Sequence, residues 1–321
     1  MKNIAALFAT ALTVLSPSAA AQTDFPSKPI QVIVGFPAGG GTDILARVLA
    51  QEARKFLGGD IIVLNKPGAT GTLAVTSVAA APPDGYMLGV TASSSLTTAH
   101  FLQDVPADLL ERTTALVAVG RLRNALLVKS DSPLHSVKDL IELARRNPGK
   151  VSIGTPGAGT KSGLVLQAIA LQEKLEVSVV PFKGEAPGVT ALLGGHITAA
   201  TSTASTWERH VAAGTLRIIA SMEEDRLDSD PNAPALMEQG LPYAVSLIFY
   251  AYGPKGLPAA VARRLVDAFA EATRAPAYRD MATKNAIDIR KPISGEALDR
   301  FLSEDRAKTG SMVSKLGIKK S

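Results

Sequence analysis

The sequence predicts an α/β protein with two lobes that face one cleft. A β-α-β-α-β pattern spans roughly residues 30–91, and a second such pattern spans about 150–220. In each pattern the first strand leads through a glycine-containing loop into a helix, with the sequence FPAGGGTD at 36–43 and TPGAGTKS at 155–162. Because alternating strands and helices form parallel sheets with helices on their faces, the repeat indicates two similar α/β units.

The first pattern opens with an apolar strand, followed by a helix that starts just after three glycines. The strand is predicted at Ile30–Val34, and apolar residues recur at helical spacing from 44 to 49. We predict Thr42 or Asp43 as the N-cap, since either side chain can accept a hydrogen bond from the first turn, and Gly58 as the stop. A glycine loop entering a helix presents free N–H groups and the positive end of the helix dipole, which favours a small anion.

The rest of the first pattern brings a second polar loop to the same place. Strands are predicted at 61–64 and 86–91, with a helix of small residues at 71–81 between them. A serine run that begins with Ser93 and Ser94 follows the last of these strands. Since ligands bind at the carboxyl ends of the strands in open α/β sheets, the serines and the glycine loop are expected at one edge.

The middle of the chain repeats these elements, and the C-terminal part is mainly helical. An apolar stretch at 116–128 and a helix at 136–146, capped by Ser136, precede the second pattern. The elements of that pattern are predicted at 151–154, 163–171, 177–181, 189–193, 197–200 and 216–220. A buried strand and three helices follow, at 245–252, 258–274, 276–284 and 294–316. This helical block could return to cover the first lobe.

Composition narrows the function classes. The chain has 321 residues, is 46% hydrophobic and 20% charged, and contains no cysteine. This fits two folded domains and excludes disulfides, thiolate catalysis and cysteine metal ligands. Aromatic residues make up 5% of the chain, and the net charge of +5 is dispersed. These values argue against a nucleic-acid surface and slightly favour anionic ligands.

The N-terminus has the pattern of a secretory signal peptide. Lys2 precedes a largely apolar run at 4–15, which is too short to span a bilayer and is followed by small residues that end at Ala21. We predict that residues 1–21 are removed before Gln22 and that the mature protein is periplasmic. A buried N-terminal helix is the alternative interpretation.

The second glycine loop matches a phosphate-binding P-loop only in part. Gly154 and Gly159 have the required spacing, but Thr160 stands where the motif needs lysine, and Lys161 comes one residue late. The dinucleotide fingerprint also fails, because Ser162 stands where it needs a third glycine. We therefore expect neither a nucleotide nor any other cofactor.

Residues with catalytic or metal-binding chemistry are scattered. Four histidines have no metal-ligand spacing and are interpreted as surface or turn residues: His100, His135, His196 and His210. No serine lies in a G-x-S-x-G elbow, and Lys183 is interpreted as an exposed loop residue. The missing nucleophile, general base and metal centre favour a binding protein over an enzyme. An exported hydrolase with dispersed catalytic residues stays open.

Short segments in a fixed order carry a family resemblance over essentially the whole mature chain. They are FPSKPI at 25–30, FPAGGGTD at 36–43, NKPG at 65–68, APPDGY at 81–86, PFKGEAP at 181–187, LLGG at 192–195, and GP at 253–254 before GLP at 256–258. The chain resembles the Bug/TctC-like extracytoplasmic solute-binding receptors of tripartite tricarboxylate transporters. The resemblance implies a type II fold, two-lobed and periplasmic-binding-protein-like, that closes around a small carboxylate and delivers it to integral-membrane transporter subunits.

The resemblance also implies which residues bind the ligand. In the family, backbone groups and ordered waters of two glycine loops hold the carboxylate, and a serine loop faces the pocket. Carried over by position, the ligand-binding residues are Ala38, Gly39, Gly40, Gly41, Thr42, Asp43, Ser93, Ser94, Thr155, Gly157, Ala158, Gly159, Thr160 and Ser202. Ser202 and Thr203 stand where many relatives have Asp-Asn. This departure removes an acid that could pair with a ligand ammonium, which disfavours an amino acid and leaves the ligand open.

The two-lobe interpretation divides the chain into domains. Residues 22–123 and 223–321 form a discontinuous domain I, and 124–222 form domain II, with hinges expected near 121–125 and 218–222. We expect a monomer without a metal, in which the ligand shifts the population toward a closed form. A receptor that signals to a sensor kinase is the alternative to a transport receptor.

Overall fold

The computed structural model describes residues 25–227, 229–285, 287–289 and 293–320. The predicted signal peptide and its cleavage position lie outside these residues. The strands are β1 (Ile30–Val34), β2 (Ile61–Asn65), β3 (Met87–Ala92), β4 (Thr113–Leu122), β5 (Asn124–Lys129), β6 (Val151–Thr155), β7 (Val177–Pro181), β8 (Ala199–Thr203), β9 (Leu216–Ser221), β10 (Phe249–Pro254) and β11 (Ile287–Asp288).

The helices alternate with the strands in the first two thirds of the chain and dominate its end. They are α1 (Gly41–Leu57), α2 (Thr72–Ala79), α3 (Ser94–Thr97), α4 (Ala99–Leu102), α5 (Val137–Arg146), α6 (Lys161–Gln172), α7 (Glu185–Leu193), α8 (Ala204–Ala212), α9 (Ala259–Arg274), α10 (Pro276–Lys284) and α11 (Gly295–Leu316). Within the described ranges, no helix combines the length and the apolar character that crossing a membrane requires.

The first sheet has the strand order β11-β4-β10-β3-β1-β2. β1 lies parallel to both β2 and β3, which confirms the parallel arrangement predicted for the opening pattern. β10 is antiparallel to β3 and to β4. The carboxyl ends of β1 and β3 therefore lie at one edge, where the first glycine loop and the serine run begin.

The second sheet has the strand order β7-β6-β8-β5-β9. β6 lies parallel to β7 and β8, and β5 lies antiparallel to β8 and β9. The two sheets thus share a plan in which three parallel strands carry the glycine loop and antiparallel strands complete the sheet. This confirms the predicted α/β architecture with two similar units.

One residue, Arg123, connects the two sheets where the chain first passes between them. β4 belongs to the first sheet, and β5, which begins at Asn124, belongs to the second. The apolar stretch at 116–128 is thus two largely buried strands of two sheets, and Arg121, Arg123 and Asn124 interrupt it where the chain passes between the sheets. Arg123 Nη2 donates to Asp225 Oδ1 at 2.7 Å and to the carbonyl of Arg226 at 3.0 Å.

The C-terminal helices pack against the first sheet, as expected from the sequence. α9 lies on α1 and β4, and α11 lies on β4 and α3. Arg264 Nη2 donates to the carbonyl of Leu57 at the end of α1, at 3.0 Å. The Tyr278 hydroxyl donates to the carbonyl of Val119 in β4, at 2.5 Å. These bonds tie the end of the chain to its beginning.

Two local predictions are wrong. Neither Thr42 nor Asp43 caps α1: the N-cap is Gly40, without a side-chain hydrogen bond, and Asp43 lies inside the first turn. His100 is not a surface residue, because it is buried in α4 with its ring centroid 3.9 Å from that of Phe101. This burial, aided by the charge of Arg306, lowers the pKa of His100.

Glu223 is a buried carboxyl at the place where the chain passes between the sheets. It is 2% exposed, and its Oε1 accepts the backbone N–H of Asn124 at 2.8 Å. Its Oε2 lies 3.9 Å from Arg121 Nη2. Burial raises the pKa of Glu223 to about 7, against the opposing effect of this hydrogen bond and of Arg123 and Arg121.

The raised pKa of Glu223 predicts a loss of stability with rising pH. The folded protein holds this proton up to about pH 7, whereas an ordinary glutamate releases it near 4.5. The contribution of Glu223 to the free energy of unfolding therefore falls by roughly 3 kcal/mol between these pH values. Urea unfolding of the wild type and of Glu223→Gln from pH 4.5 to 8 measures this change. The free energy of unfolding of the variant should rise relative to that of the wild type as the pH increases.

Glu224→Gln is the matched control, because Glu224 is the exposed neighbour. A stability difference between the wild type and Glu223→Gln that stays constant over this pH range would contradict the prediction.

Candidate ligand-binding cleft

Two adjoining cavities lie between the glycine loops of the two sheets. The first, called the Glu185 cavity, has a volume of about 60 Å³. It is lined by Phe36, Pro37, Ala38, Gly40, Gly41, Thr42, Ala92, Ser94, Asn124, Pro156, Thr160, Ser162, Gly184, Glu185, Ala186, Pro187, Thr203, Leu247 and Phe249. The second, called the Lys183 cavity, has a volume of about 480 Å³.

The wall between the two cavities is a contact between the sheets. Phe36, Pro37, Pro156 and Gly184 line both spaces. A Cβ on Gly184 would lie 3.2 Å from Pro37 Cδ, and the φ of 110° at this residue disfavours any side chain. The N–H of Gly184 donates to the carbonyl of Pro156 at 3.1 Å. Glycine therefore allows the close approach that separates the cavities.

The first glycine loop is braced by Asp43. Its Oδ2 accepts from the N–H of Gly39 at 2.9 Å and from Arg47 Nε at 3.0 Å, and its Oδ1 accepts from Asn65 Nδ2 at 2.9 Å. Burial opposes ionisation, but the hydrogen bonds of Arg47, Gly39 and Asn65 outweigh it and lower the pKa of Asp43. The carboxylate thus stays charged and shapes the loop from behind.

The start of α1 leaves donors free at the cavity. The N–H of Ile44 bonds to the carbonyl of Gly40, whereas the N–H groups of Gly41, Thr42 and Asp43 find no acceptor among the described residues. Gly41 and Thr42 both line the Glu185 cavity. The positive end of the helix dipole adds to these donors, so this corner of the cavity suits an anion.

The second glycine loop faces the same cavity from the other sheet. Thr160 caps α6, since its Oγ1 accepts the N–H of Gly163 at 3.3 Å and donates to the carbonyl of Gly157 at 2.8 Å. The N–H groups of Lys161 and Ser162 have no acceptor in the described part of the chain. Thr160 and Ser162 line the Glu185 cavity opposite the start of α1.

The structure distributes the ligand-binding residues predicted from the sequence over three locations. Those lining the Glu185 cavity are Ala38, Gly40, Gly41, Thr42, Ser94 and Thr160. Those lining the Lys183 cavity are Gly157 and Ala158. Those lining neither cavity are Gly39, Asp43, Ser93, Thr155, Gly159 and Ser202. Their roles in binding stay predictions; within the third group Gly39 is exposed, and the other five residues are buried.

Three of the buried residues in the third group are held in the protein interior or in the contact between the sheets. The Ser93 and Ser202 hydroxyls are fully buried and have no hydrogen-bond partner among the described residues. A Cβ on Gly159 would lie 2.9 Å from Ala99 Cα, so this glycine is part of the contact between the sheets. Its N–H donates to Thr70 Oγ1 at 3.1 Å across the same contact.

Glu185 is the residue that sequence reasoning missed. It is the first residue of α7, and its Oε2 accepts from Thr203 Oγ1 at 2.5 Å and from Thr206 Oγ1 at 2.7 Å. Burial raises the pKa of Glu185 against the effect of these bonds. The signal was its position after β7, at the carboxyl end of a parallel strand, where ligand-binding residues gather.

A buried ion pair joins the two sides of the cleft outside the cavities. Lys161 Nζ at the start of α6 pairs with Asp305 Oδ1 on α11, and the side chains are 7% and 5% exposed. Thr97 Oγ1 donates to the other oxygen of Asp305 at 2.6 Å. Lys161 is therefore committed to a protein carboxylate, which is a further departure from a P-loop lysine.

Two α/β units with opposed glycine loops and cavities between them define a two-lobed solute-binding protein of the periplasmic type. A family model described as tripartite tricarboxylate transporter family receptor (TctC) matches residues 45–318. The chain belongs to this receptor family, which confirms the resemblance seen in the sequence. Members of the family are periplasmic solute-binding receptors and not enzymes.

Individual relatives agree with this assignment. The UPF0065 protein in the gbd 5' region of Cupriavidus necator is 32% identical over 311 residues, which cover 97% of this chain and 94% of that protein. The structure of the periplasmic binding protein BugD is 26% identical, with a TM-score of 0.85 over 92% of this chain and 100% of BugD. A Rhodopseudomonas palustris protein solved with adipate has the same fold, with a TM-score of 0.85, 24% identity and coverage of 93% and 100%.

The buried ion pair predicts that single substitutions open the cleft. Lys161→Met leaves Asp305 buried and unpaired, which costs about 3–5 kcal/mol unless the lobes separate. Small-angle X-ray scattering should show a larger radius of gyration for Lys161→Met and for Asp305→Asn than for the wild type. The double variant Lys161→Met/Asp305→Leu should return toward the wild-type value.

Lys55→Met is the control, since Lys55 pairs with Glu52 inside one helix. Scattering curves that superimpose for all variants would contradict a role of the pair in closure.

Proposed function

We propose that this chain is a periplasmic receptor that captures a small carboxylate between its lobes and delivers it to the membrane subunits of a tripartite tricarboxylate-type transporter. The main support for this proposal is that the N–H groups of Gly41 and Thr42, at the start of α1 and beside the Glu185 cavity, have no acceptor among the described residues. A carboxylate placed there accepts charge-assisted hydrogen bonds and meets the positive end of a helix dipole.

Closure couples the two loops to one ligand. The opposite wall of the Glu185 cavity is formed in part by Ser162, whose N–H has no acceptor among the described residues. A carboxylate contacts both walls only when the lobes are together, so it binds the closed form more tightly and shifts the population toward it. The adipate bound to the structural relative from R. palustris agrees with a carboxylate ligand for this fold.

The proposed domains and hinges follow the two sheets. Residues 22–123 with 223–321 contain the first sheet, and 124–222 contain the second. The hinges are assigned to 121–125 and 218–222, where β4, β5 and β9 meet Glu223. We assign residues 1–21 to a signal peptide cleaved before Gln22, and the functional unit to a monomer.

Calorimetric titration of the purified mature protein tests the proposal. Acetate, butyrate, succinate and adipate form the panel, with butyramide as a control that keeps the shape of butyrate without the charge. At least one carboxylate should bind with one-to-one stoichiometry, and the amide should not. Binding of none of the carboxylates, or equal binding of butyramide, would reject carboxylate capture.

Gly41→Ala is predicted to weaken carboxylate binding at least tenfold. A Cβ at this position would overlap the Ser205 side chain and lie 2.7 Å from Leu122 Cδ1, which displaces the start of α1 and its donors. Alanine favours the helix itself, so stability is not expected to fall for that reason. In the control Gly188→Ala the new Cβ meets Phe182 at an ordinary 3.5 Å. Equal affinities of the two variants would refute this prediction.

A further inference from the structure

The Glu185 cavity contains a single ionisable side chain among the described residues that line it, and that side chain is an acid. No lysine, arginine or histidine of the described chain lines this cavity. The nearby Lys183 lines the neighbouring cavity instead. A carboxylate ligand at the start of α1 therefore shares a largely apolar space with the carboxyl of Glu185. This pairing needs a chemical explanation.

Glu185 is held in place by its neighbours. Thr203 and Thr206 are buried, and both hydroxyls donate to Oε2, at 2.5 and 2.7 Å. Neither bond uses Oε1. The carboxyl cannot turn away from the cavity without breaking both bonds and leaving two buried hydroxyls without an acceptor. The backbone N–H of Thr203 and the hydroxyl of Ser202 also lie near this carboxyl. Oε1, to which neither threonine hydroxyl donates, is the oxygen that we assign to the ligand.

The acid lies close to the anion corner. Thr203 Oγ1, which bonds Glu185 Oε2, is 3.4 Å from the Cβ position of Gly41, the first residue of α1. One hydroxyl therefore separates the two sites. A group on the ligand that reaches Glu185 while its carboxylate rests on α1 must be attached near that carboxylate, on the second or third carbon.

We infer that Glu185 is a specificity-determining residue, and that the ligand is a compact carboxylate carrying a hydrogen-bond donor on its second or third carbon. This inference rests on the proposed function, carboxylate capture. An ammonium is the best match, because it neutralises the acid and forms a charge-assisted hydrogen bond in a space without any other cation. A hydroxyl satisfies the same acceptor without the charge. A second carboxylate on the ligand is rejected, since it would face Glu185 without a counter-ion.

The second lobe therefore supplies an acid after all, from α7 instead of from β8. The Ser202-Thr203 pair, which on sequence alone argued against a ligand ammonium, orients this acid through Thr203. Under this inference the Ser202-Thr203 pair no longer argues against an amino acid, and the backbone donors of the first loop keep their proposed role.

Titration with one carbon skeleton tests the inference. Butyrate is compared with 2-, 3- and 4-aminobutyrate, with 2- and 3-hydroxybutyrate, and with succinate and adipate. In the wild type, a 2- or 3-substituted donor should bind at least tenfold more tightly than butyrate and than either dicarboxylate. In Glu185→Gln the preference for the amino compound over butyrate, taken as the ratio of the two affinities, should fall at least tenfold.

Two further variants separate the donor types and guard against misfolding. Glutamine still accepts a hydrogen bond from a hydroxyl, so a hydroxyl ligand keeps its preference in Glu185→Gln and loses it in Glu185→Ala. Thr206→Val removes one bond to Oε2 and should reduce the preference severalfold without touching the acid. Glu208→Gln, the matched control, removes a carboxyl from α8 that does not line the cavity, and should leave all ratios unchanged.

The outcomes separate this inference from the proposed function. If butyrate and adipate bind while the donor preference is absent, or is equal in the wild type and Glu185→Ala, carboxylate capture stands and the role of Glu185 is rejected. Tighter binding of succinate or adipate than of every donor compound also rejects it. If no compound binds, both carboxylate capture and the role of Glu185 are rejected.

Discussion

The buried ion pair between Lys161 and Asp305 is the interaction on which the arrangement of the cleft depends. Two buried charges are stable only in each other's presence, so α6 and α11 must be together wherever the pair exists. Gly159 then meets Ala99, Pro37 meets Gly184, and the glycine loops face the same spaces. A contact outside the cavities therefore sets the separation of the loops that line them.

A division of charge follows from this arrangement. Lys183 and Glu185 are two positions apart, yet they line different cavities, because Gly184 between them packs on Pro37. One short segment thus gives an acidic side to a small apolar space and a basic side to a larger one. Apolar neighbours such as Phe249 strengthen the hydrogen bonds of Glu185. Lys183 is exposed, so water competes with any group that binds to it.

Sequence patterns predicted the α/β class, the paired glycine loops and most strands, because hydrophobic period and turn residues act locally. The N-cap prediction failed because the Asp43 carboxylate has other partners. It accepts hydrogen bonds from Arg47, one helical turn away, and from Asn65, which is distant in the sequence. Glu185 was missed because its importance depends on which side of α7 lines the cavity, and tertiary packing decides this.

The single-residue connection between β4 and β5 has a mechanical consequence. Arg123 contributes only two rotatable backbone dihedral angles, and its side chain pairs with Asp225, so few torsions are available to change the angle between the sheets at this connection. A rotation about it carries α6 and α7 as one rigid unit, since both are anchored in the second sheet. Under the proposed closure, the ion pair, the wall at Gly184 and the acid beside the anion corner therefore form together when the second lobe rotates onto the first.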